Sequence, residues 1–266
     1  MGQADELRDV ALSVANEAAA LAKRSRQDAI HDVDTKSSKT DVVTAADLAV
    51  EQLVRDRLAE LRPGEPVLGE EAGGAAAEPG RVTWVVDPID GTVNYLYGFP
   101  WYAVSLAAQV DGVSVAAAVV EPDSGRRWTA VRGAGAWLDG RPLRVSGADR
   151  LDLSLVATGF AYKSARREQQ AAGVARLLPR VRDIRRAGAA SLDLCAVAAG
   201  WVDGYFEHGL SRWDWAGGAL VAEEAGAVVR LPGTPDALGA DLTFCAAPGI
   251  AAELRKAITE AGLTSI

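Results

Sequence analysis

Apolar residues recur at every third or fourth position near the start of the chain. Residues 4–28 carry such a stripe, which predicts an amphipathic helix. A second stripe follows Thr44 and predicts a helix that runs to about Leu61. Thr44 and Asp47 have the spacing of a capping box, with Asp in place of the usual Glu. The polar stretch 31–41 between the two helices has no periodicity and is predicted to be a mobile loop.

The middle of the chain has the short apolar runs that are typical of strands. Residues 66–69 predict a short extended segment, and the β-branched run 82–86 predicts a buried strand that ends at Asp87. Asp111-Gly112 and Asp139-Gly140 predict hairpins within 103–145.

Strands and helices alternate in the second half of the chain. The predicted strands are 155–158, 181–185, 202–207, 227–231 and 242–246, and the predicted helices are 165–178, 191–199, 214–225 and 250–261. This mixture predicts an α/β protein. The change of pattern predicts an N-terminal sub-domain at 1–150 and a C-terminal α/β sub-domain at 151–266, packed as one unit.

Composition narrows the function without identifying it. The chain has 49% hydrophobic and 24% charged residues and a net charge of -8, which is typical of a soluble globular protein and argues against direct nucleic-acid binding. Two histidines are too few for a His-rich metal site, and two cysteines exclude a disulfide framework. Without a signal-peptide pattern or an apolar run of about 18 residues, we expect a cytoplasmic protein with no membrane partner.

Acidic residues at predicted strand ends are the informative chemical feature. Asp87 and Asp90 follow the buried strand, Glu70-Glu71 follows the short extended segment, and Asp214 begins a helix. If these carboxylates met, they would repel one another unless a hard divalent cation such as Mg²⁺ lay between them.

The turn after Asp90 adds groups that suit a phosphate. Gly91 permits a tight turn with exposed N–H groups, and the Thr92 hydroxyl can orient a water molecule.

Each of these features also has an ordinary structural interpretation. The Asp-Pro-x-Asp-Gly-Thr segment alone could be a turn, and Glu70-Glu71 could be a solvated charge pair. Asp214 could be a helix N-cap, and Asp47 could serve only the capping box. Cys195 is predicted to be an inert core residue, and His208 is predicted to be structural or to line the rim of a site. A haloacid-dehalogenase phosphatase motif is excluded, because Pro88 stands where its first Asp should be.

In combination, these motifs resemble those of the inositol monophosphatase family, within the superfamily of metal-dependent, lithium-sensitive phosphatases. The matching segments are Asp41-Val-Val-Thr-Ala-Ala-Asp47, Gly69-Glu70-Glu71, Trp84-Val-Val-Asp87-Pro-Ile-Asp90-Gly-Thr92-x-Asn94-Tyr95, Arg185-Arg186-x-Gly188-Ala-Ala190, Leu192-Asp-Leu-Cys195, Trp213-Asp214-x-Ala216-Gly217 and Glu224-Ala-Gly226. The resemblance implies a five-layered αβαβα sandwich of the inositol monophosphatase and fructose-1,6-bisphosphatase type, usually a homodimer.

The resemblance also implies two or three Mg²⁺ ions. The implied ligands of the first are Glu70, Asp87 and the carbonyl oxygen of Ile89, and those of the second are Asp87, Asp90 and Asp214. Glu70 is also implied to hold a third, more weakly bound ion.

The remaining implied roles concern water and substrate. Asp47 and Thr92 orient the attacking water, and Lys36 belongs to a mobile lid. The implied substrate contacts are Asp90, Gly91, Thr92, Gly188, Ala189, Ala190, Glu207 and Asp214.

These roles predict Mg²⁺-dependent hydrolysis of a small polyol phosphate, foremost myo-inositol 1-phosphate, by direct attack of a metal-bound water. Inhibition by Li⁺ is expected from the resemblance. The alternatives are a histidinol-phosphate, fructose-1,6-bisphosphate or phosphoadenosine-phosphate phosphatase, or a regulatory protein that binds the transcription machinery.

Overall fold

A computed structural model describes residues 2–29, 33–35, 42–234, 236–264 and 266. Within this part of the chain the α-helices are α1 (Gln3–Ala29), α2 (Ala45–Leu61), α3 (Thr92–Tyr97), α4 (Ser164–Leu177), α5 (Ala190–Ala198), α6 (Arg212–Glu224) and α7 (Pro248–Glu260). None of the described helices is both long enough and apolar enough to span a membrane.

The described strands form two mixed sheets and one short ribbon. The strands are β1 (Val33–Thr35), β2 (Val42–Thr44), β3 (Val67–Gly69), β4 (Val82–Asp90), β5 (Ala103–Val110), β6 (Val113–Val120), β7 (Arg127–Val131), β8 (Gly135–Leu138), β9 (Arg141–Pro142), β10 (Leu155–Thr158), β11 (Asp183–Arg185), β12 (Gly204–His208), β13 (Val228–Arg230) and β14 (Leu242–Ala246). The first sheet runs β3-β4-β5-β6-β7-β8-β9 and the second runs β11-β10-β12-β14-β13, while β1 pairs with β2 alone.

Helices cover both faces of each sheet, which produces five layers. The helices α1 and α2 pack on one face of the seven-stranded sheet, and α6 packs on its other face beside α5. The pair α5 and α6 also contacts the five-stranded sheet, whose far side is covered by α7 and α4. Three apolar clusters fill the spaces between these layers. The predicted αβαβα sandwich is therefore confirmed, whereas the sub-domain boundary near residue 150 stays a prediction.

Three local predictions differ from the structure. The strand expected to end before Asp87 continues to Asp90, because a register shift against β5 lets it pass Pro88. The six-residue helix α3 was not predicted, since it is too short to show a helical period. Part of the expected loop at 31–41 is strand β1; the rest of that segment lies outside the described residues.

Two adjacent glycines let α6 fit between the first sheet and α5. A Cβ atom at Gly217 would lie 2.6 Å from the Ser105 hydroxyl oxygen of β5. A Cβ atom at Gly218 would lie 2.6 Å from the Ser191 carbonyl oxygen of α5. The buried middle layer therefore depends on the absence of side chains at these two positions, which closely follow Asp214 in the same helix.

Gly218→Ala is expected to lower the free energy of unfolding by about 1–3 kcal/mol, because the added methyl group meets a fixed backbone carbonyl. Urea denaturation measures this loss. Gly147→Ala is the control, since Gly147 is exposed and a Cβ atom there meets nothing within 4 Å. Equal stability of the two variants would contradict the proposed close packing of α5 and α6.

Candidate active site

Acidic side chains from both sheets line one cavity of about 460 Å³. Glu70 follows β3, Asp87 and Asp90 lie in the last part of β4, Glu207 lies in β12, and Asp214 lies in the first turn of α6. Residues far apart in sequence are therefore brought together at one opening, as the predicted site requires.

Asp90 is held by the beginning of a helix a hundred residues later in the chain. Its Oδ1 atom accepts a hydrogen bond from the Ala190 N–H at 3.1 Å. Its Oδ2 atom accepts hydrogen bonds from the Ser191 N–H at 2.7 Å and the Ser191 hydroxyl at 2.5 Å. The carboxylate thus satisfies N–H groups of the first turn of α5, which have no carbonyl partner within the helix. This contact joins β4 of the first sheet to the middle layer.

The two oxygens of Asp47 have different partners. Oδ2 accepts hydrogen bonds from the backbone N–H of Thr44 at 2.8 Å and from its hydroxyl at 2.6 Å, which confirms the predicted capping box. Oδ1 lies 3.4 Å from the Thr92 hydroxyl, which also donates to the Ile89 carbonyl oxygen at 3.1 Å. Asp47, which completes the capping box of α2, therefore also reaches Thr92, with which it is predicted to orient the attacking water.

A buried glutamate that sequence reasoning missed orders the segment around Glu70. Glu51 is 2% exposed, and its carboxylate accepts hydrogen bonds from the N–H groups of Glu71 at 2.7 Å and Ala72 at 3.0 Å. A Cβ atom at Gly69 would lie 2.4 Å from this carboxylate. A charged residue between the buried Val50 and Val54 of α2 was the available signal.

The turn at Gly91 lies directly against the predicted polyol wall, residues 188–190. Gly91 has φ 90°, which a residue with a side chain rarely adopts. A Cβ atom there would lie 3.2 Å from both the Gly188 carbonyl oxygen and the Ala189 Cβ. Gly91, Thr92, Gly188 and Ala190 line the cavity, and Ala189 lies behind it.

Glu207 faces the cavity from the second sheet. Its carboxylate accepts a hydrogen bond from the Tyr205 hydroxyl at 2.7 Å. A Cβ atom at Gly159 would lie 1.9 Å from it, so a side chain at that position would displace the Glu207 carboxylate. The basic side chains Lys163, Arg166 and Arg186 also line the cavity, and Arg186 is close enough to Glu207 to favour its charged form. The cavity therefore contains positive as well as negative side chains.

Burial and mutual repulsion raise the pKa of the acidic groups. The pKa of Asp87 is well above its usual range, because the carboxyl group is buried and lies near Glu70, Asp90 and Asp214. Burial raises the pKa of Asp90 to about 6, against the opposing effect of the hydrogen bonds from α5. Burial also raises the pKa of Asp214 and brings that of Glu207 to about 7. The cavity thus favours either protons or a compensating positive charge.

The donor chemistry of these residues suits Mg²⁺. Glu70, Asp87, Asp90 and Asp214 supply hard carboxylate oxygens, and their repulsion is the kind that a divalent cation relieves. Within the described residues, however, no three such side chains are already arranged around a common point as a set of metal ligands. Ion binding would therefore require the carboxyl groups to turn towards a shared centre.

The structure describes two further residues for which the sequence made a prediction, Cys195 and His208, but not a third, Lys36. Cys195 is fully buried and burial raises its pKa, in agreement with an inert core residue. His208, expected to be structural or to line the rim, lines the cavity and has Nε2 2.7 Å from the Leu263 carbonyl oxygen. Lys36, the predicted lid residue, lies outside the described residues.

Glu207→Gln is expected to stabilise the metal-free protein at pH 8 by up to about 3 kcal/mol. The folded protein holds the Glu207 proton up to pH about 7, whereas the unfolded chain releases it near 4.5, so wild-type stability falls between these values. The difference from wild type should therefore vanish near pH 4. Denaturation in EDTA at both pH values measures it.

Glu168→Gln, the same change at an exposed position of α4, is the control. If the Glu207→Gln and wild-type stabilities ran parallel from pH 4 to pH 8, the raised pKa would be wrong.

Comparison with known proteins agrees with this arrangement. The model of the inositol monophosphatase family matches residues 3–263. An inositol-1-monophosphatase of Mycobacterium leprae is 52% identical, with 96% of this chain and 94% of the relative covered. A Pseudomonas aeruginosa relative named Nus factor SuhB is 42% identical, with 83% of each chain covered.

The solved structures agree with the sequence relatives. The structure of Mycobacterium tuberculosis SuhB has a TM-score of 0.85 and 45% identity, and covers 99% of this chain and 100% of that one. The family match extends over nearly the whole chain and includes every segment that lines the cavity. The chain therefore belongs to the inositol monophosphatase family.

Proposed function

We propose that this phosphatase hydrolyses small polyol phosphate monoesters in the presence of Mg²⁺, with myo-inositol 1-phosphate as the foremost substrate. Family membership makes the chain a phosphoric monoester hydrolase. The observation that carries the finer proposal is the single cavity in which four carboxylates lie near Glu207 and the wall at 188–190. The name of the relative that is 52% identical, inositol-1-monophosphatase, supports the substrate.

The proposed cation site uses the acidic groups of β4 and their neighbours. Two or three Mg²⁺ ions would be held by Glu70, Asp87, the Ile89 carbonyl oxygen, Asp90 and Asp214. When bound, Mg²⁺ would offset the negative charge of these groups and of the phosphate, and would stabilise the leaving oxygen.

The proposed reaction is a direct displacement by water. Thr92 and Asp47 orient the water: the Thr92 hydroxyl lines the cavity, and Asp47, which is buried behind it, lies 3.4 Å from that hydroxyl through Oδ1. The N–H groups of the Gly91–Thr92 turn hold the phosphate oxygens. Water attacks phosphorus opposite the ester oxygen and gives up a proton, the P–O ester bond breaks, and the leaving oxygen takes up a proton, so the products are the alcohol and inorganic phosphate.

The leaving group is proposed to lie between the wall and Glu207. Glu207 accepts hydrogen bonds from polyol hydroxyl groups, while the Tyr205 hydroxyl fixes its direction. This arrangement favours a leaving group with several hydroxyl groups over a simple aryl group. Inhibition by Li⁺, a homodimer and a cytoplasmic location belong to the same proposal.

A panel of phosphate esters at fixed Mg²⁺ concentration tests the substrate. The panel contains inositol 1-phosphate, histidinol phosphate, fructose 1,6-bisphosphate, phosphoadenosine phosphate and p-nitrophenyl phosphate. We expect the highest kcat/KM for inositol 1-phosphate. If another ester of the panel had a higher kcat/KM, that ester would replace inositol 1-phosphate as the proposed substrate.

Asp214→Asn is expected to lower kcat/KM at least a hundredfold and to raise the Mg²⁺ concentration needed for half-maximal rate. The Asn side-chain oxygen can still accept the Ser211 N–H hydrogen bond that caps α6, so the fold should persist. Phosphate release during a Mg²⁺ titration measures both effects. The control is Asp152→Asn, an exposed site. Unchanged Mg²⁺ dependence in Asp214→Asn would contradict the proposed ligand set.

A regulatory role is the second candidate, supported by the name Nus factor SuhB of the relative that is 42% identical. The Asp214→Asn variant separates the two functions in cells that lack the native gene. Restored growth would favour a role that does not need catalysis, and failure of a stable variant to restore growth would favour the phosphatase.

A further inference from the structure

One side chain of the sequence motif has no part in the reaction outlined above. Asn94 is the third residue of α3, immediately after the Gly91–Thr92 turn. It is partly buried and is not among the residues that line the cavity. Its position inside the motif therefore requires a different explanation.

The amide group of Asn94 connects the motif to the polyol wall. Its Nδ2 atom donates to the Trp101 carbonyl oxygen at 2.7 Å and to the Ala187 carbonyl oxygen at 2.9 Å. The Gly188 carbonyl oxygen lies 3.4 Å from the same nitrogen. Because an amide has two N–H hydrogens, one is donated to the Trp101 carbonyl oxygen in the loop after α3 and the other to the Ala187 carbonyl oxygen, immediately before the wall. No other atom of the short helix α3 makes a side-chain hydrogen bond to the wall among the described residues.

Residues on both sides of the wall are also in contact with the motif. Gly188 has φ 91°, and a Cβ atom there would lie 3.3 Å from Asn94 Nδ2. The next residues are held by Asp90 through the N–H groups of Ala190 and Ser191. The wall is thus held at one end by a carboxylate and at the other by an amide, both from the same five-residue stretch of the chain.

We infer that Asn94 is a positioning residue that sets the distance between the phosphate-binding turn and the wall that faces the leaving group. This inference rests on the proposed function. Asn94 does not touch the substrate; it acts through the carbonyl groups of Ala187 and Gly188. Its effect should therefore fall on the binding of a polyol leaving group and leave the chemistry at phosphorus nearly unchanged.

Asn94→Asp tests this inference, because it keeps the shape of the side chain and replaces the donor by an acceptor that the carbonyl groups repel. We expect KM for inositol 1-phosphate to rise about tenfold, whereas kcat and KM for p-nitrophenyl phosphate change less than about twofold. Asn94→Ala, which removes the donor without adding repulsion, should show a smaller rise in the same direction. Asn16→Asp makes the same chemical change in α1, remote from the cavity, and should change neither substrate.

Three results distinguish failure of the inference from failure of the proposed function. Equal losses on both substrates, or no change on either, would overturn the role of Asn94 while the wild-type enzyme remained active on inositol 1-phosphate. A wild-type enzyme that hydrolyses p-nitrophenyl phosphate but no polyol phosphate would overturn the proposed function and, with it, the role of Asn94. If Asn94→Asp and Asn94→Ala were both unstable in thermal denaturation, with losses that followed stability, Asn94 would be a structural residue only.

Discussion

The contact on which the site depends most is the one between Asp90 and the first turn of α5. Without a partner, the N–H groups at the start of a buried helix would cost free energy, and without a donor the buried carboxylate would cost more. The hydrogen bonds between the Asp90 carboxylate and these N–H groups reduce the free-energy cost of burying both. Since Asp90 belongs to the first sheet and α5 to the middle layer, this exchange also brings the two halves of the cavity together.

The buried acidic residues near Asp90 destabilise the folded protein when no cation is bound. Asp87 and Asp214 lie beside Glu70, and their pKa values are raised first by burial and then by the neighbouring negative charges. Stability at neutral pH must therefore come from elsewhere, and three apolar clusters between the layers supply it. A rigid, close-packed frame holds the carboxyl groups near one another at a pH where they repel. This is the arrangement expected where the site is adapted to a cationic ligand.

Sequence patterns predicted most of the elements because their signals are local. The period of α1, the capping box of α2 and the apolar runs of β10 and β14 depend only on neighbouring residues, and their predicted positions agree closely with the structure. The order of the layers came from the family resemblance, since it depends on pairings between distant strands. Helix α3 was missed because six residues are too few to show a helical period, and the extension of β4 past Pro88 was missed because it depends on pairing with the distant strand β5. Glu51 was missed because the two N–H groups that its carboxylate binds lie about twenty residues later in the sequence.

The structural and chemical interpretations of one carboxylate need not compete, because it has two oxygens and about four positions where a donor or a cation can bind. Asp47 uses Oδ2 for the cap of α2 and Oδ1 for Thr92, so the capping box orients the oxygen that the proposed reaction uses. Asp90 receives three hydrogen bonds from Ala190 and Ser191, which leaves room for about one further partner. A carboxylate limited in this way can bind a cation from one direction only. The hydrogen bonds that join the layers would thereby also choose where the cation proposed for Asp90 must lie.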